Sequence, residues 1–302
     1  MASSVLGGLG QLIGLTVSGL MIKDLLGSAT WIGTGNAAMQ IGTAVGAYSL
    51  SRLMSRRGRR LGLTIGYFVG LGGGIVIAYA DRWRWYPLVL VGLFLFGFAN
   101  TSNQQARFAA ADAVPDSQRA RAVGAVVWST TVGVVLGPLL SGPLGRSVKG
   151  LGIPEYGGAF LIGGLVYILA ALVCWRWLRP DPLEISRTLR DTPAATDVSH
   201  LDLRAILTRP MVRLAMTTSV VNQVVMVLIM SMTSVHLKDH GHNTASVGVT
   251  ISFHVLGMYG PAPLTGWLCD RIGRIQVMLG GSLLLVIAGL IAAGASPDGS
   301  IV

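Results

Sequence analysis

The chain is poor in charge. Asp, Glu, Lys and Arg make up only 12% of its 302 residues, where an ordinary soluble domain carries about 25%. Hydrophobic residues make up 52% and mean hydropathy is +0.62, so most of the chain cannot face water. Two cysteines, Cys174 and Cys269, are too few for a disulfide-built secreted domain, and no structural disulfide is expected between them. A cleavable leader is not expected either: Met1 to Ser4 bring no basic cluster, and no cleavage site follows the first apolar run. The sequence also lacks a phosphate-binding loop, a dinucleotide fingerprint and a Gly-x-Ser-x-Gly elbow. Those absences exclude transport powered by a nucleotide site of its own and argue against enzyme chemistry and cofactors. An intramembrane enzyme would need clustered acids or a Ser/His pair at one depth, and none is seen.

What is present is glycine and length. Glycine accounts for 41 of 302 residues, about twice its usual ~7% share, and small residues let helices approach closely in lipid. Apolar runs of the ~20 residues that cross a bilayer core recur at about 5–22, 29–50, 61–80, 87–113, 121–144, 157–178, 211–236, 245–268 and 276–294. The expected fold is all-α, a polytopic membrane helix bundle of about nine transmembrane helices. Residues 1–178 form a six-helix bundle, 179–208 a polar cytoplasmic loop, and 209–302 an incomplete second bundle of three. With the N-terminus inside, 17 of the 23 Lys and Arg residues fall in cytoplasmic loops and 6 outside. That bias sets a multi-pass protein of the cell membrane with a cytoplasmic N-terminus. The net charge of +10 then belongs to topology and anionic lipid rather than nucleic acid.

Polar side chains inside such spans are costly and face the bundle interior. The fourth span carries Asn100, Asn103, Gln104 and Arg107, whose spacings of three, four and seven share one helical face. Arg107 serves either as a substrate or proton-coupling group or as a snorkelling cation that pairs with Asp112 or reaches the inner surface. The second span carries Asn36, Gln40 and Thr43, the seventh Asn222 and Gln223, and the eighth His254. The amides either line a midplane site or bond between helices, and His254 either titrates or packs. His236, His240 and His242 have no recognised zinc spacing and read as an exposed loop, so no metal is expected.

Two charged stretches organise the rest. Gly266-Trp267-Leu268-Cys269-Asp270-Arg271-Ile272-Gly273-Arg274 lies between two apolar runs, as does Ser51-Arg52-Leu53-Met54-Ser55-Arg56-Arg57-Gly58-Arg59-Arg60. Both carry Arg-x-Gly-Arg, and both have Leu at the third place. The later copy resembles the signature loop of the major facilitator superfamily, Gly-x-Leu-x-Asp-Arg-x-Gly-Arg, at every key position. The earlier copy has Ser51 for the family's Gly and Ser55 for its Asp. Residues 133–143 resemble the family's antiporter motif, with Gly133, Gly137, Pro138 and Gly142 in place and Ser141 replacing a Gly. Arg107 is similar in position to the helix-4 arginine of the family's drug antiporters.

The resemblance implies a secondary active transporter of small molecules that works by proton-coupled efflux with alternating access. The loop residues Gly58, Arg59, Arg60, Gly266, Asp270, Arg271, Gly273 and Arg274 would act as gates, with Asp112 as an acid for Arg56 or Arg59. The family has twelve helices, so this chain is expected to lack the last three. Two further readings stand beside efflux: a nutrient uptake permease, and a truncated, non-transporting protein that assembles with a partner chain or with itself.

Overall fold

Each of the first six apolar runs is one long helix in the computed structural model, which describes residues 1–28, 30–189, 203–239, 253 and 256–294. They are α1 (Ala2–Leu26), α2 (Ile32–Arg57), α3 (Arg59–Arg82), α4 (Tyr86–Asp112), α5 (Arg119–Ser147) and α6 (Glu155–Trp177). There follow α7 (Pro182–Leu189), α8 (Leu203–Leu207), α9 (Pro210–Asp239), α10 (Ala262–Ile272) and α11 (Arg274–Gly294). No strand occurs among the described residues. Six of these helices are long and apolar enough to cross a membrane: α1, α3, α4, α5 with the turn before it, α6 and α11. At 26 and 30 residues α2 and α9 have the length. In α2 the apolar content is diluted by Thr34, Asn36, Gln40 and Thr43. Of the expected eighth span, 245–268, residues 245–252, 254 and 255 lie outside the described residues, and the described part is helical on either side of a turn at 260–261. The segment 179–208 is more than a polar loop, because it contains α7 and α8.

The chain divides into two compact units, Met1–Asp191 with Tyr259–Trp267, and Thr192–Met258 with Leu268–Val302. In the second, α9 meets α8 and α11. In the first, α3 packs along α4 and α6, α1 along α5 and α6, and α2 along α4. Its centre is a stack of fully buried rings. Phe96 meets Phe160 edge-on at 5.3 Å and Tyr167 at 4.9 Å, and Tyr167 meets Tyr67 at 5.8 Å. Such pairs each add about 0.5–1.5 kcal/mol beyond the area they bury. Glycine sets how closely the helices cross. A Cβ on Gly42 of α2 would run into the Phe94 carbonyl of α4, and one on Gly97 of α4 would run into the Met39 carbonyl of α2.

Two carboxylates join α3 to α6 in a reciprocal way. Near the end of α3, buried Asp81 accepts a hydrogen bond from the Gly157 N–H, 2.7 Å away in the first turn of α6. After α6, Asp181 accepts from the N–H groups of Arg59 and Arg60 in the first turn of α3, at 3.0 and 2.9 Å. In each case a negative group meets the positive end of a helix dipole and satisfies donors that the helix itself leaves open.

Candidate transport pathway and gate loops

The polar face of α4 divides in two. Asn100 is buried. Its amide donates to Thr43 Oγ1 of α2 at 3.2 Å, and its Oδ1 accepts from Gln104 at 3.4 Å. Thr101 donates to the Thr43 carbonyl at 2.7 Å, so this edge of the face ties α4 to α2. Asn103 is also buried, and it turns toward α1. A Cβ on Gly7 would lie 2.8 Å from Asn103 Oδ1 and 2.7 Å from the Tyr67 hydroxyl. Asn103 Oδ1 has no hydrogen-bond partner among the described residues, while the Tyr67 hydroxyl donates to the Ser3 carbonyl at 3.2 Å.

Gln104 is exposed and Arg107 is half-buried. One arm of the alternative for Arg107, an ion pair with Asp112, does not form: Asp112 Oδ2 takes Arg59 Nε at 2.9 Å. Tyr259, which belongs to the same unit, lies within electrostatic reach of Arg107. On α2, Asn36 and Gln40 are exposed, whereas Thr43 is turned into the α4 contact. In the second unit Asn222 is half-buried and Gln223 exposed on α9. His254, His240 and His242 lie outside the described residues.

The α5 motif works as a packing seam. A Cβ on Gly133 would meet the Val5 carbonyl of α1, and one on Gly137 would come within 2.5 Å of Leu12 Cβ. Pro138 and Gly142 sit within an unbroken helix that runs on to Ser147.

Both signature loops use the same backbone device. Helix α2 ends at Arg57, Gly58 turns with φ +94°, and α3 begins at Arg59; α10 ends at Ile272, Gly273 turns with φ +100°, and α11 begins at Arg274. Glycine alone adopts that conformation without strain. Gly266, at the head of the later loop, is buried where a Cβ would lie 2.6 Å from the Ala120 carbonyl of α5. Gly124 of α5 lies equally close against Ala262, so the start of α10 packs on the start of α5. Asp270 and Arg271 are both engaged in interactions, and Arg274 is exposed.

Sequence reasoning missed Asp181, Asp81, Tyr259, and the Gln105 to Ser51 bond of 2.9 Å between α4 and α2. For Asp181 the signal was readable. Asp181-Pro182-Leu183-Glu184 has the N-cap acid, first-turn proline and third-position Glu of a helix start, and Asp181 Oδ1 does accept from the Leu183 N–H at 2.9 Å. A cavity of about 310 Å³ lies beside this segment, lined by Ser3, Ala109, Cys174, Trp177 and Pro182 among others.

A bundle of membrane-length helices, a polar face on α4 and two helix–glycine–helix turns that lead into arginine define a polytopic membrane transporter. Residues 1–302 match the family model of the Major Facilitator Superfamily, and the chain belongs to that superfamily. It is 36% identical over 303 residues to an uncharacterized MFS-type transporter, YdeG, of Bacillus subtilis (strain 168), across 99% of this chain and 70% of that protein. It is 34% identical over 301 residues to a second one, YddS, of the same organism, across 98% and 69%. It is 26% identical over 282 residues to the riboflavin transporter RfnT of Brucella anthropi, across 93% and 68%. The chain thus spans about 70% of the length of the relatives it matches. It is a multi-pass membrane transporter of small molecules, not an enzyme.

Proposed function

We propose that the protein is a secondary active transporter that exports a small molecule by alternating access, coupled to protons, with its N-terminus in the cytoplasm. On this reading residues 1–178 are the first bundle, 179–208 the joining loop and 209–302 the second bundle. The observation that carries this reading is Arg107. It is a half-buried guanidinium in a membrane helix that makes no ion pair or hydrogen bond among the described residues. A cation in that position is expensive unless something transient compensates it, and a substrate or the proton cycle supplies that compensation. Gln104, exposed one turn away, and Asn36 and Gln40 on α2 extend the polar wall. From the sequence alone, Asn222, Gln223 and His254 are the path residues assigned to the second half. The glycine seam of α5 against α1 gives a smooth contact on which helices can rock. The gate residues are Gly58, Arg59, Arg60 and Asp112 in the first loop, and Gly266, Asp270, Arg271, Gly273 and Arg274 in the second.

A second reading, carriage of a riboflavin-like heterocycle, is favoured by the resemblance to the riboflavin transporter. Both are tested in inverted vesicles that carry the chain, with ethidium efflux and riboflavin flux each measured under a proton gradient. Arg107→Ala is expected to lower the maximal rate about tenfold, the loss of one charge-assisted contact in the path. Equal rates for the variant and the parent would remove Arg107 from the path. Riboflavin flux without ethidium efflux would favour the second reading.

A further inference from the structure

The first signature loop has no acid of its own, since Ser55 stands where the second copy has Asp270. The structure nevertheless brings a carboxylate to that turn from elsewhere. Asp181 lies 121 and 122 residues from the two N–H groups it accepts, and both of its oxygens are used. One takes the Arg59 N–H and the Leu183 N–H, the other the Arg60 N–H. A Cβ on Gly58 would collide with this carboxylate, so the glycine serves the approach of Asp181 as well as the φ of +94°. The next residue is Arg59, whose side chain holds Asp112 at the end of α4. Asp181, the Gly58 turn, Arg59 and Asp112 therefore form one chain of contacts that links the segment after α6, the start of α3 and the end of α4. Pro182 follows Asp181 directly, is buried, and lines the cavity beside Cys174.

We propose that Asp181 is the positioning residue of the first gate loop. It replaces the acid the loop lacks, fixes the Gly58–Arg60 turn, and so aims Arg59 at Asp112 during the transport cycle. This rests on the reading of the signature loops as gates. Other groups facing the turn do not duplicate the role: Asp112 binds the Arg59 side chain, not its backbone, and Ser55 donates to the Arg52 carbonyl at 2.9 Å.

The test uses Asp181→Asn, Asp181→Glu and Asp112→Asn in the full chain, each with three readouts. The first is hydrogen exchange at the Arg59 and Arg60 amides. The second is maleimide labelling of Cys174 in a Cys269→Ser background, and the third is ethidium efflux resolved into maximal rate and apparent KM. Asp181→Asn is expected to speed exchange at both amides about tenfold and to speed Cys174 labelling. It is expected to lower the maximal efflux rate with apparent KM unchanged. Asp181→Glu, which keeps the charge, recovers most of that rate, and Asp112→Asn leaves the two amides protected. Parental exchange in Asp181→Asn would overturn the proposal. So would faster exchange with an unchanged maximal rate, which would reduce Asp181 to a plain helix cap. If the parent pumps no ethidium, the export reading fails on its own, and parental exchange and Cys174 labelling in Asp181→Asn would still refute the clamp.

Discussion

At the scale of single residues, the polar face of α4 shows how far a helical wheel reaches. Spacing alone placed Asn100, Asn103, Gln104 and Arg107 together. Positions 103 and 104 are about 100° apart on a helix of 3.6 residues per turn, so the face is wide enough for its edges to meet different neighbours. Thr43 takes Asn100, Gly7 makes room for Asn103, and only Gln104 and Arg107 remain for a path. Which edge is occupied depends on the position of α1 and α2, which no local pattern in α4 records. The hydrogen bonding gives a direct expectation. Asn100→Ala removes two bonds and should cost about 1–2 kcal/mol, at the mean of about 0.6–1 kcal/mol for each such bond in membrane bundles and in water. Asn103→Ala removes a buried oxygen with no partner among the described residues and should cost less. Thermal unfolding of the two variants in detergent checks the order, and a larger drop for Asn103→Ala would contradict it.

At the scale of elements, the first six helices were legible because apolar runs of membrane length leave few alternatives, and the glycine turns were legible from Arg-x-Gly-Arg. What local sequence could not show was the partner of each glycine. Gly133 and Gly72 look alike in a hydropathy profile. Gly133 faces the Val5 carbonyl of α1, while no described residue lies within 4 Å of a Cβ on Gly72 of α3. Gly133→Val should therefore destabilise the bundle by about 1–3 kcal/mol, since a backbone carbonyl cannot move aside cheaply. Gly72→Ala should be neutral or stabilising by up to about 1 kcal/mol through helix propensity. The pair of melting temperatures separates a true crossing point from a spacer, and similar shifts for both would refute the assigned seam. The α3–α6 pair belongs to this scale as well. Asp81 and Asp181 cap one another's helix at opposite ends of the pair, which makes those two helices a frame for the others. The pairing escaped sequence reasoning because the two acids lie 76 and 122 residues from the donors they meet.

At the scale of the whole molecule, membership of the superfamily joins these parts into a transporter. The two signature loops repeat one backbone device but differ in electrostatics. The second carries its acid within the motif as Asp270. The first borrows Asp181 and uses Asp112 for its arginine side chain. The repeat therefore keeps its turn and relocates its charge.

The central claim is alternating access to the polar face of α4, and it can be tested without knowing the substrate. Gln104→Cys is placed in a background with Cys174→Ser and Cys269→Ser. A membrane-impermeant thiol reagent is then applied to right-side-out and to inverted vesicles. Alternating access at this face gives labelling from both sides, with the balance shifted by a proton gradient. Labelling from one side only, or from neither, would contradict the account.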